Sequence, residues 1–194
     1  MSLYAVALFA HIAGAALMFM AIAVELVCLH RMRGATTTDQ LREWADLTRT
    51  TGVLFPAGSV AIVVSGLYMA LTTWNLTIPW IGLSLAVMAV MGIFGGRVNT
   101  RKMEAVAAAV RVEPSGPVPG GLARRVADPF LLASVHVLAA LAFGVVLLKA
   151  ARPDLVGSLL VLTVAVAAGL LSTRVPSRLG AGSRHMPETG GLTR

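Results

Sequence analysis

Five long apolar blocks, at about 3–29, 52–71, 78–96, 129–148 and 155–171, constrain this chain more than any other feature. Within them the only charged or imidazole side chains are His11, Glu25 and His136. About 20 apolar residues in a helix cover the ~30 Å hydrocarbon core of a bilayer, so each block is sized to cross one. The blocks are uniformly apolar rather than amphipathic, and lipid rather than a buried core must satisfy most of that surface. Composition agrees. Only 13% of residues are charged, against about 25% in soluble domains, and the mean hydropathy is +0.80. The expected fold is an all-α membrane protein, a single bundle of five transmembrane helices.

A formal charge of +7 would admit a nucleic-acid partner if the basic residues clustered, but they lie in short stretches between the apolar blocks. That is the placement of topology signals. Segment 30–51 holds Arg31, Arg33, Arg42 and Arg49; segment 97–128 holds six more; the tail holds Arg174, Arg178, Arg184 and Arg194. Only Lys149 and Arg152 fall on the other side. The positive-inside rule then places the N-terminus outside and the C-terminus in the cytoplasm of a cell membrane, of bacterial inner-membrane type. Tyr4, Tyr68, Trp74 and Trp80 fall near the outer headgroup level, where aromatic residues are enriched. The first block has no basic residue before it and His30, Arg31 and Arg33 after it, so it reads as a retained span rather than a signal peptide.

The uncharged turn Thr72 to Thr77 and the turn Lys149 to Asp154 are short enough to make antiparallel hairpins. In the first basic loop, Thr37 and Gln40 have capping-box spacing before Leu41, Trp44, Ala45 and Leu47. This predicts a short amphipathic helix at the interface, or an extension of the second span. The third span can run on to about Val110, after which Pro114, Gly116, Pro117, Pro119, Gly120 and Gly121 predict a flexible loop. Asp128 and Pro129 suit the cap and first turn of the fourth span. Residues 174–194, rich in Gly, Ser and Arg, are expected to form a disordered cytoplasmic tail.

Ionisable groups within spans cost a few kcal/mol and are functional candidates by default. His11, Met18 and Glu25 recur every seven residues, which keeps them within about 40° of one another on a helix. His11 and Glu25 are about 21 Å apart along the axis. Counted from the span ends, Glu25 and His136 lie at nearly matching depths, whereas His11 lies some 8 Å from His136. Glu25 with His136 is thus a candidate proton relay, and His11 and His136 are candidate cofactor ligands for haem or copper. Glu25, Cys28 and His30 are a third candidate, a soft metal site, although Cys28 and His30 point about 160° apart on a regular helix. Each has an ordinary reading too. Glu25 can reach water or Arg31 at the interface, and a neutral histidine can bond a neighbouring helix. Met18, Met20, Met69, Met88 and Met91 have no interleaved Cys or His, so they read as packing residues. Cys28 is the single cysteine, which excludes an intrachain disulfide. There is no P-loop, dinucleotide fingerprint, zinc-protease helix or nucleophile elbow, which disfavours an ATP-driven pump or a hydrolase.

Ala10 with Gly14, Gly92 with Gly96, and Ala165 with Gly169 allow close helix contact within the bundle, a homo-oligomer or a larger membrane complex. The basic loops suit anionic lipid.

The runs Leu8 to Ala15, Ser65 to Met69 and Ser134 to Leu138 resemble a family of small bacterial integral membrane proteins of unknown function, over roughly residues 3–150. More distantly, a histidine early in the first span is similar to the copper-resistance D-type proteins and the four-helix membrane protoporphyrinogen oxidase. The latter resemblance implies a haem association that would fall on His11. This chain differs in its fifth span and in having no lysine inside the blocks. The expected function is haem or metal handling at a polar intramembrane site. The alternatives are a proton-coupled carrier or channel, and a non-catalytic subunit of a membrane complex; whether the chain is an enzyme is left open.

The topology is checked with alkaline phosphatase fusions. Fusions after Asn75 and Arg152 should be active and one after Gly116 inactive; the reverse pattern would invert the assignment.

Overall fold

The computed structural model describes residues 2–174, so the tail expected to be disordered lies, apart from Arg174, outside the described residues. Among them the fold is all-helical: α1 (Leu3–Arg33), α2 (Thr38–Thr51), α3 (Leu54–Thr73), α4 (Pro79–Ile93), a π-helical turn (Phe94–Asn99), α5 (Thr100–Val112), α6 (Gly120–Val126), α7 (Pro129–Ala151) and α8 (Leu155–Ser172). Five continuous or nearly continuous helical stretches are long and apolar enough to cross a membrane: Leu3–Arg33, Thr38–Thr73, Pro79–Val112, Gly120–Ala151 and Leu155–Ser172.

Caps set the boundaries. The Ser2 hydroxyl accepts from the Ala5 amide, Asp128 from Phe130 and Asp154 from Gly157, each satisfying an N-terminal N–H that a helix cannot pair internally. Thr37 caps Gln40 as expected, but the Gln40 amide oxygen turns back to Thr36, one residue before the box position. Of the two readings of α2, the extension is the one observed. Only Gly52 and Val53 separate α2 from α3, and both are helical in φ and ψ.

The segment between α5 and α6 differs from the flexible loop expected. Thr38 donates its amide to the Gly116 carbonyl at 2.9 Å and its hydroxyl to the Pro114 carbonyl at 2.9 Å, while Val118 N–H donates to Thr36 at 3.2 Å. The prolines fix an extended strap that pairs with the turn before α2, and α6 starts directly at Gly120. Proline stops a helix but is well suited to such pairing at an edge.

Arg-rich α2, α5 and α6 gather at one end of the bundle, the basic end. There Arg42 donates to the carbonyls of Val110 (3.3 Å) and Glu113 (2.9 Å), covering the negative end of α5. Arg111 pairs with Asp46 at 2.7 Å, and Lys102 with Asp128. At the hairpin end, Arg152 adopts a left-handed backbone (φ 49°) and lies over the Trp74 ring, 4.9 Å from its centroid. This joins the two hairpins.

The most extensive interface is α1 against α3, followed by α7 against α8. Both rest on glycine. A Cβ on Gly58 would lie 2.8 Å from the Gly14 carbonyl oxygen and 2.9 Å from the Met18 nitrogen. One on Gly169 would lie 2.6 Å from the Val137 Cα. Of the small-residue pairs singled out in the sequence, Gly92 with Gly96 is open, with nothing within 4 Å. Gly58→Ala and Gly169→Ala should therefore each cost about 1–3 kcal/mol of stability through overpacking, whereas Gly92→Ala should gain about 0.5–1 kcal/mol from helix propensity. Thermal unfolding in detergent measures this order, and equal effects at all three positions would contradict it.

Candidate functional site

The residues singled out in the sequence occupy three separate places. Taking 100° per residue, Gly14, Met18, Ala21, Glu25, Cys28 and Met32 fall within about 40° of a single line down α1. The other five are buried, and this is the face packed on α3 and α2. Glu25 is the carboxylate on that stripe. His30 lies on the opposite side of the helix.

Glu25 lines a cavity of about 450 Å³ at the basic end. Ala21, Phe55 and Gly95 form its apolar floor. Ala45, Thr48, Arg49, Thr51 and Gly52 form one wall; Thr100, Met103, Glu104, Ala107, Ala108 and Arg111 form the other. The π-helical turn helps to make the floor. Gly95 has no side chain, so the Phe55 ring reaches to 2.9 Å from where its Cβ would be, and Leu138 closes from α7. The Thr100 hydroxyl donates to the Gly95 carbonyl at 3.0 Å, a carbonyl that also accepts the Thr100 amide across the wide turn. Such turns recur at functional sites. Glu25 forms no ion pair among the described residues. Arg31, the partner allowed by the ordinary reading, lies instead over the Trp44 ring at 5.6 Å.

Glu25 and His136 do not meet. The ring of His136 lies against His30, with centroids 5.2 Å apart and planes at 61°. His30 lies about 7.5 Å further along α1 than Glu25 and on the side of the helix that meets α7, so both height and helix rotation separate Glu25 from His136. His30 Nδ1 lies 2.8 Å from the Leu26 carbonyl, and His136 Nδ1 lies 2.8 Å from the Leu132 carbonyl. A carbonyl can only accept, so Nδ1 carries the proton in each ring. Cys28 turns the other way, fully buried against Leu41, Ala45 and Met103. The trio Glu25, Cys28 and His30 therefore does not converge. Among the described residues no three His, Cys, Asp or Glu side chains do.

His11 is held by α3, with Nδ1 3.1 Å from the Ile62 carbonyl oxygen and 3.2 Å from the Ser65 hydroxyl. It lines a second cavity of about 50 Å³, together with Lys149, Ser84 and Gly66. The lysine was assigned to the turn between spans. In fact α7 runs to Ala151, and Lys149 continues the face of Val145 one turn further. That continuation of the heptad was the available signal. His11 and His30 are about 28 Å apart along α1, and His136 is beside His30, so a single haem or copper ion cannot take both His11 and His136. The His11 cavity is a small fraction of the size of a porphyrin. The residues around His11 therefore do not fit a haem in this state.

Met18, Met69, Met88 and Met91 are buried packing residues. With Ile22, Ile62, Leu138 and Leu141, three of these, Met18, Met88 and Met91, form an apolar core between the two cavities.

No protein family, curated protein or solved structure matches this chain.

Proposed function

We propose that this protein is a proton-coupled carrier of small solutes in an integral membrane bundle, drawn in its state open toward the cytoplasm, with Glu25 as the group that exchanges solute and proton. Its chief support is that Glu25, on the buried stripe of α1, has no ionic partner among the described residues and lines the larger cavity. An acidic group kept at a few kcal/mol cost in an apolar span is explained if ligand or proton completes it.

Three further features support the reading. The larger cavity lies at the basic end, which the positive-inside rule assigns to the cytoplasm. An apolar plug of Met18, Ile22, Met91, Leu138 and Leu141 separates it from the small cavity that His11 and Lys149 line together with apolar side chains. One wide compartment, a dry barrier and one narrow compartment is the arrangement expected of a protein that opens one side at a time. The haem- or copper-handling reading keeps fewer supports, because its ligand candidates are dispersed.

The test is solute-driven proton flux in proteoliposomes carrying a pH-sensitive dye in the lumen. Flux by the parent protein should fall by about tenfold or more in Glu25→Gln, whose amide cannot exchange a proton in this range. An undiminished rate in a folded Glu25→Gln variant would remove the reading.

A further inference from the structure

We infer that the Glu25 cavity selects an organic cation with an apolar body. This rests on the carrier reading for its role in transport, and on the chemistry of the walls for its selectivity.

The walls offer acceptors. Thr48 donates its hydroxyl proton to the Trp44 carbonyl at 3.0 Å, Thr51 to Leu47 at 2.9 Å and Thr100 to Gly95 at 3.0 Å. Each proton is committed to its own helix, and what each oxygen has left for a ligand is lone pairs. Glu25 and Glu104 add carboxylates, which accept only. On the donor side, Arg111 is already paired with Asp46 at 2.7 Å. That leaves Arg49 at the rim as the lining cation without an ion pair among the described residues. An anion would meet two carboxylates and a set of committed hydroxyls, whereas a cation meets them as partners.

The floor explains the apolar body. Phe55 on the floor and Met103 on one wall present a ring and a thioether, and the face of an aromatic ring attracts an ammonium or phosphonium centre. A charge brought among these residues is desolvated, so compensation by Glu25 counts for more than it would in water.

The way in fits such a ligand. α5 packs on α2 and α6, while α3 packs on α1 and α4. Gly52, just before α3, and Thr100, Glu104 and Ala108, on successive turns of α5, line the cavity and are exposed along the gap between the start of α3 and α5. Gly52 starts the second apolar block and the π-helical turn ends the third. The gap therefore faces the boundary between hydrocarbon and headgroups, where amphiphilic cations accumulate near anionic lipid.

The experiment is titration calorimetry of the full chain in neutral detergent with tetraphenylphosphonium and tetraphenylborate, a cation and an anion of closely similar shape. The phosphonium should bind, with affinity reduced about tenfold in Glu25→Gln, a loss of about 1.4 kcal/mol, and partly retained in Glu25→Asp. Removing the rim cation in Arg49→Ala should strengthen it. Tetraphenylborate bound as tightly as the phosphonium, no phosphonium binding at all, or equal affinity in Glu25→Gln would each overturn the inference. Failure of the carrier reading looks different: Glu25-dependent phosphonium binding with no proton flux in liposomes.

Discussion

The contact of α1 and α3 backbones at Gly14 and Gly58 is the constraint on which the rest of this structure depends. A Cβ at Gly58 would stand 2.8 Å from the Gly14 carbonyl oxygen, so this approach exists only without side chains. It fixes the rotation of α1 about its axis. Once Gly14 faces α3, the heptad spacing carries the same face down to Glu25, and His30 is turned to the opposite side, against His136. A rotation of α1 by about 100°, one residue's worth, would remove Glu25 from the cavity.

That orientation puts Glu25 and His11 in separate cavities with an apolar layer between them. The apolar layer draws on α1, α3, α4, α7 and α8, and the α1–α3 and α7–α8 backbones that flank it approach closely at glycines. Close packing of this kind transmits strain rather than absorbing it, so such interfaces shift between discrete arrangements. The π-helical turn lies at the junction. One turn toward the basic end from Gly95 is Asn99, fully buried with both amide atoms unpartnered. One turn toward that end from Leu138, which also meets Gly95, is Ser134, whose hydroxyl is likewise unpartnered. Unsatisfied buried groups cost about 1–3 kcal/mol each. Their placement beside an irregular turn puts the least satisfied part of the bundle next to the Glu25 cavity.

The architecture was largely legible in the sequence. The five apolar blocks agree to within a few residues with α1, α3, α4 plus the π-helical turn, α7 and α8, because bilayer thickness fixes block length whatever the packing. The Asp128 and Pro129 start of α7 and the continuation of the third span were legible for local reasons of capping and propensity. The π-helical turn and the ordered strap at 114–118 were not, since both depend on partners far away in sequence: Phe55 for Gly95, and Thr36 and Thr38 for the strap. At the site, Glu25 was visible as a rare charge in an apolar run. That His136 meets His30 and not Glu25 was hidden, because facing and relative height are properties of two helices and a sequence shows one at a time. Lys149 was hidden for a simpler reason. One residue past the expected end of the span at 148, a lysine reads as a loop residue, and only the continued face of Val145 places it beside His11.

The central claim is that Glu25 stands in a compartment open from the basic end and sealed from the other. Site-directed labelling tests this most directly, with Ala21→Cys at the cavity floor in a Cys28→Ala background and a membrane-impermeant maleimide. The account predicts modification in inside-out vesicles and protection in right-side-out vesicles. Equal modification from both sides, or modification only from the hairpin end, would contradict it.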